Sequence, residues 1–376
     1  MSADVTTAPT PLFPPLISSA WRQRLRELYP NVEPSLDASV PHPNFRYPTS
    51  PVLAGDAERT AEKLRDVLSP RHVPGTHLRF HADPLRALLH YTKRRGLAPG
   101  FRLLMQPLAP TAFFEAARRL NARVVLLPRD PEEWDAFDFA NFDECWLSNP
   151  SATDGFFYPE TFYLRLAQHL APHKTTHVLS EEGTGVFSFN EVAPGSFREL
   201  LLDPRVTLLS SAWPCYQPLG PQLAWTITTH EDERGADAAP ASAELQGALL
   251  ANLPVIRALQ ARQGAAYQEV ARRLLAVEQG LRLFGDDLKP LLTSRRLPPL
   301  SWPETGFFML FDASLILRER AIDIETLCLR LFEEHGVVVE PGTAFGAPQA
   351  FRVCYAAPHG TLLRLARALR EAFLKA

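Results

Sequence analysis

The chain has 376 residues, 46% of them hydrophobic and 22% charged, with a formal net charge of −3. That balance describes a soluble globular protein longer than one average domain, and it gives no electrostatic case for nucleic acid or an anionic membrane surface. The cysteines, Cys145, Cys215, Cys328 and Cys354, show neither a CxxC pair nor a metal-like spacing, so structural thiols in a reducing compartment are expected. With no signal-peptide pattern and no apolar run of ~20 residues, a cytoplasmic location is expected.

Residues 1–15 are Pro/Thr-rich and read as a flexible arm. A short amphipathic helix over 19–28 and a Pro-punctuated loop over 42–50 follow, and 16–54 is assigned to the first part of a small domain. From residue 55 helix and strand patterns alternate. Helices are expected over 57–68, 83–95, 111–120 and 160–170. Strands are expected over 77–80, 102–106, 124–127, 144–148, 176–180, 206–210 and 223–228. Short apolar runs alternating with helices of about a dozen residues predict an α/β fold, its mostly parallel central sheet sandwiched by helices. This large domain is placed at 55–240, ending in the polar stretch 232–242. A long helical stretch over 243–283, broken or kinked near Pro254, then leads to a β-α-β-β-α pattern over 306–373. Residues 241–376 are therefore assigned to a linking helix and the C-terminal part of a small α+β domain.

Several segments carry candidate chemistry. His81-Ala82-Asp83-Pro84 closes a strand and opens a helix, with Asp83 as N-cap and Pro84 at the first helical position. Free backbone N–H groups there suit an anion. His81 is a candidate acid or base. Asn149-Pro150 and Glu181-Glu182 stand at two further strand ends. Glu340-Pro341-Gly342 precedes a strand that carries Arg352, whose planar fork suits a carboxylate.

Taken together, these segments resemble fold-type-I pyridoxal-phosphate enzymes, most closely the histidinol-phosphate aminotransferase and threonine-phosphate decarboxylase branch. Phe45-Arg46-Tyr47-Pro48 is similar to N-R-Y-P, whose tyrosine reaches the neighbouring subunit's cofactor phosphate. Residues 79–85 are similar to the G-A-D-E-A/G-I turn, with Ala82 retained in the phosphate cup and His81 in the glycine position. Gln106-Pro107-Leu108-Ala109 is similar to E-P-T-Y, whose aromatic stacks on the cofactor ring. Ser148-Asn149-Pro150-Ser151 is similar to N-P-N-N-P-T-G, which implies that Asn149 contacts the phenolic oxygen. Val178 to Thr184 is similar to V-V-V-D-E-A-Y, which puts Glu181 where an aspartate holds the pyridine nitrogen. The final segment, 340–355, is similar to P-G-x-x-F-G…R-(I/L)-(S/T)-(F/Y), and it implies that Arg352 binds the substrate α-carboxylate.

The departures cluster at one place. Residues 208–225 are similar to the segment that presents the Schiff-base lysine, yet Pro214 stands in the lysine position and Gln222 in that of the phosphate-binding arginine. No lysine occurs between Lys174 and Lys289, so no shift of register restores one. Ser211 matches the phosphate-binding hydroxyl. Ala109 and Thr184 replace the two aromatics. Cys215 is a candidate nucleophile beside the missing lysine, with His81 to lower its pKa.

The resemblance leaves three functions open, on a scaffold that it implies is usually homodimeric, with no nucleic-acid or membrane partner expected. One is a repurposed enzyme without a cofactor, in which His81, Cys215 and Glu181 do the chemistry. There Arg352, Asn149 and Tyr47 hold a small carboxylate or amino-acid-like substrate. The second binds pyridoxal or pyridoxamine phosphate non-covalently through Asn149, Glu181, Ser211, Gln222 and Ala82. The third is a non-catalytic binding protein or the inactive partner subunit of a heterodimer. Loss of so many cofactor contacts together leads to the expectation of no cofactor and no ordinary transamination.

Overall fold

The computed structural model describes residues 19–30, 32, 36–38, 57–68, 76–151, 153–182, 203–211, 223–229, 242–261 and 263–374. Its centre is a seven-stranded sheet in the order β2-β8-β7-β6-β5-β3-β4. The strands are β2 (His77–His81), β3 (Arg102–Met105), β4 (Arg123–Leu126), β5 (Glu144–Ser148), β6 (His177–Glu181), β7 (Val206–Ser211) and β8 (Ala224–Thr228). Only β8 runs against its neighbours. Strands β5, β7 and β8 are buried along their whole length. This is why they read as short unbroken apolar runs rather than as alternating ones.

Side-chain alternation splits the strands between two layers. Leu104, Leu147, Val178 and Leu208 pack against α2 (Ala57–Leu68), α5 (Glu160–Leu170) and α6 (Ala243–Ala261). Leu103, Met105, Trp146, Leu179 and Leu209 face α3 (Pro84–Arg94) and α4 (Thr111–Arg119). Helix α3 begins as its sequence dictates: the Asp83 carboxylate accepts from Arg86 N at 2.7 Å, and Pro84 follows where no N–H is needed.

A second core joins the two ends of the chain. Trp21 and Leu25 of α1 (Ser19–Leu28) pack with α7 (Gly264–Ser294), α9 (Ile324–His335) and α10 (His359–Leu374). The Trp21 indole donates to Val339 O at 3.0 Å. A three-stranded antiparallel sheet, ordered β11-β12-β9, lies in this part: β9 is Phe308–Asp312, β11 is Glu340–Pro341 and β12 is Ala350–Cys354. Two-residue strands β1 (Leu36–Asp37) and β10 (Val337–Val338) pair in parallel beside it.

Two details differ from the sequence expectations. The chain does not break at Pro254. Helix α6 runs through it to Ala261, held by Leu249, Asn252 and Ile256, all buried, and the restart comes at Gly264. Proline removes one helical hydrogen bond, and packing on both sides of it outweighs that loss here. Helix α8 (Ser314–Arg320) is also additional, inserted directly after β9.

Candidate active site at the carboxyl edge

In open α/β sheets ligands bind beyond the carboxyl ends of the parallel strands. Four of the expected residues stand along that edge. His81 ends β2, Ser211 ends β7, Glu181 ends β6, and Asn149 follows the end of β5. Register makes Ser148 the neighbour of Glu181, and one row runs His81–Ala224–Ser211. Alternation from Leu179, Trp146 and Leu209 puts Glu181, Ser148 and Ser211 on the α3–α4 side of the sheet.

Glu181 is 6% exposed, and the Ser148 hydroxyl donates to its Oε2 at 2.6 Å. Ser148 is itself clamped. Its N–H donates to Gln106 Oε1 at 2.7 Å, while Gln106 Nε2 donates to its carbonyl at 2.8 Å. Gln106 thus ties the end of β3 to the end of β5 and fixes the hydroxyl that holds Glu181. The sequence reading passed over Gln106 and Ser148 as positioning residues. Their signal was a fully buried amide at a strand end, which must be satisfied on both sides.

Asn149 acts first as a brace: its Nδ2 donates to Tyr158 O at 3.0 Å, and Tyr158 N donates to its Oδ1 at 2.9 Å. The loop between them is sewn to the rest of the molecule. Thr153 Oγ1 donates to Ala109 O at 3.1 Å, and Gly155 O accepts from Glu304 N at 2.9 Å. Gly155 has φ +69°, and a Cβ there would sit 2.1 Å from Thr305 O, so only glycine allows this approach. Ala109 is buried among Phe113 and Trp146, and the edge has no aromatic face at that position.

His81 looks into the α3 layer. Its Nε2 lies 3.3 Å from Thr226 Oγ1, and its ring is 5.3 Å from that of His90. Burial, with His90 and Arg79 nearby, pushes its pKa down to about 3, so the imidazole is neutral at pH 7. Ala82 is buried between β2 and the Asp83 cap. Tyr47, Cys215 and Gln222 lie outside the described residues.

Arg352, for which the resemblance implies a substrate carboxylate, meets a carboxylate of its own chain. It is 2% exposed, and its Nε and Nη2 both donate to Glu340 Oε2, at 3.1 and 2.5 Å. The guanidinium carbon lies 4.1 and 4.9 Å from the ring centroids of Phe308 and Phe345. Glu340 was not singled out from sequence. Its signal is an acid on the strand facing an arginine, which becomes visible only once β11 and β12 are paired, Glu340 opposite Arg352.

No family model matches this chain, and no curated protein matches it. Solved structures do match over its whole length. An aspartate aminotransferase from Rhizobium meliloti aligns over 97% of this chain and 98% of its own, with a TM-score of 0.72 at 15% identity. The fold is that of the fold-type-I aminotransferases. An aminotransferase from Mycobacterium tuberculosis aligns over 99% and 100% of the two chains, with a TM-score of 0.69 and 17% identity. Aspartate aminotransferase from Thermus thermophilus, solved with maleate, aligns over 94% and 96%, with a TM-score of 0.68 and 19% identity.

These aminotransferase likenesses correct one expectation. The sequence departures pointed to no cofactor, whereas a fold shared end to end with aminotransferases points to pyridoxal phosphate. The edge has groups of the right chemistry for that cofactor: a buried carboxylate at Glu181 to accept from a pyridine N–H, and the Ser211 hydroxyl at the end of β7 and the start of α3 after Ala82 to donate to a phosphate. None of the helices among the described residues is long and apolar enough to cross a membrane.

Proposed function

We propose that this aminotransferase-fold protein binds pyridoxal or pyridoxamine phosphate without a covalent link and acts on an amine or carbonyl substrate outside conventional transamination. The observation that carries this reading is the buried Glu181–Ser148 pair at the carboxyl edge of an aminotransferase fold. It is joined by the lack of any lysine between Lys174 and Lys289. Bound pyridoxal phosphate supplies an electron sink for carbanion chemistry.

The chain's own residues divide the work. Glu181 holds a proton on the pyridine nitrogen, and Ser148 fixes the orientation of the carboxylate. Ser211 and the N–H groups at the start of α3 take phosphate oxygens. Asn149 braces the loop over residues 150–158. The neutral His81 supports the β2–α3 corner.

The test is an absorption spectrum. After incubation with pyridoxal phosphate and desalting, the protein is expected to keep a near-ultraviolet or visible band shifted from that of the free cofactor. Borohydride treatment is expected to leave no cofactor attached on denaturation, and Glu181→Gln is expected to lower retention. Absence of a retained band defeats the reading, as does cofactor fixed to the chain by borohydride.

A further inference from the structure

We infer that Glu340 is a specificity-determining residue: it closes Arg352 from within, so the cleft takes a substrate with no carboxylate at that position, a simple amine or carbonyl compound. The inference deepens the site reading above and rests on it for the identity of the cleft.

Arg352 lies where the small sheet overhangs the carboxyl edge. Its neighbour across β9 is Leu310. Leu310 packs with Phe345, Ala350 and Leu108, and Leu108 belongs to the loop that follows β3 and Gln106. Ser151, two residues after Asn149, donates to Leu108 O at 3.4 Å. The guanidinium therefore belongs to the part of the small sheet that packs on the strand ends.

A guanidinium in such a place is a natural clamp for an anionic ligand. Here both donors nearest the strand are taken by Glu340, a residue with no exposed surface. Two phenylalanine rings lie 4.1 and 4.9 Å from the guanidinium carbon, and both members of the ion pair are buried, so the pair is desolvated. The hairpin that presents Glu340 is fixed by Gly342, where a Cβ would sit 2.1 Å from Ala347 O. An incoming carboxylate would have to displace a carboxylate already held by its own chain. A neutral or amine group meets no such competitor.

The experiment uses the full chain without added cofactor, so its failure is separable from failure of the pyridoxal phosphate spectrum. Melting of wild type and Glu340→Ala is followed in acetate, maleate and chloride at equal ionic strength, and maleate binding is measured by calorimetry. Wild type is expected to ignore maleate. Glu340→Ala is expected to melt lower, to recover in acetate or maleate but not chloride, and to bind maleate about tenfold or more tighter than wild type. The double variant Glu340→Ala/Arg352→Met is expected to lose the carboxylate effect. Should Glu340→Ala not fold, Glu340→Gln keeps the side-chain volume and serves the same comparison. The inference is overturned by wild type binding maleate through Arg352, seen as a heat abolished by Arg352→Met. It is equally overturned by a folded Glu340 variant that acetate and maleate stabilise no better than chloride.

Discussion

Two glutamates with no exposed surface stand in different parts of the molecule and are handled in opposite ways. Glu340 receives two donors from one guanidinium, so its charge is met by a full opposite charge at contact. Glu144, at the amino end of β5, meets the Tyr91 hydroxyl at 2.7 Å, Arg95 Nε at 3.3 Å and the Trp146 indole at 3.4 Å. The guanidinium it meets, that of Arg95, is more distant and partly solvated. Burial therefore dominates at Glu144 and raises its pKa to about 7, against the lowering effect of those partners. A buried charge stays fixed when its counter-charge is buried with it, and it becomes titratable when its partners are mostly neutral. Strand β5 carries such a titratable acid at one end and the Ser148 that orients Glu181 at the other.

The sharpest way to break this contrast is to remove one half of the closed pair. Glu340→Ala leaves the Arg352 guanidinium buried without its carboxylate and should cost about 3–5 kcal/mol in urea unfolding. Replacing both partners with apolar residues, as in Glu340→Leu/Arg352→Met, should restore most of that loss, since a buried pair often adds little over apolar packing of similar volume. Equal losses for the single and double variants would show that geometry, not charge compensation, holds the small sheet together there.

The open cluster should reveal itself through pH. Because burial raises the folded pKa of Glu144 from the ordinary 4.5 to about 7, the folded state holds this proton more tightly than the unfolded chain. The unfolded chain then binds fewer protons between these values, so stability falls as pH rises through that window and is fully recovered below it. The contribution is on the order of 3 kcal/mol across the window. Glu144→Gln keeps an acceptor for Tyr91 and carries no proton equilibrium, so its stability profile should be flatter from pH 4.5 to 7. Identical slopes for wild type and variant would place the titration elsewhere.

Which parts of this were legible beforehand follows from where the information lies. The large sheet was legible because strands buried on both faces write themselves as apolar runs such as Cys145-Trp146-Leu147, and Asp83-Pro84 marked the start of α3. The pairing of β1 with β10 was not, because two-residue strands have no period to read and their partners are about 300 residues apart. A helix break at Pro254 was the local rule, and buried neighbours on both sides carry α6 through it. At the candidate site, sequence placed Glu181, Ser211 and Asn149 at strand ends because strand ends are locally encoded. The resemblance implied a substrate carboxylate for Arg352, and Glu340 could not be seen beside it because the two face each other only once β11 and β12 pair. The same limit hid Gln106, whose two hydrogen bonds to Ser148 span 42 positions.

The smallest expected effect sharpens the comparison from the helix that joins its themes, since α3 starts at Pro84, after the Asp83 cap, and bears Tyr91, with Arg95 just beyond its end. Asp83 caps it through Arg86 N and pairs with the Arg86 side chain at 3.2 Å. That ion pair is exposed and adds little, whereas the cap satisfies a backbone donor. Asp83→Ala should therefore cost about 1 kcal/mol. Asp83→Asn keeps an acceptor in the same place and should be close to neutral for unfolding. The two variants should separate again with a phosphate ligand, because Asn removes a negative charge from the very turn proposed to receive phosphate oxygens. Retention of pyridoxal phosphate by Asp83→Asn should then equal or exceed that of wild type. A loss of retention in Asp83→Asn, with stability unchanged, would mean that the carboxylate itself contributes to the site, and that the start of α3 is not simply an anion cup.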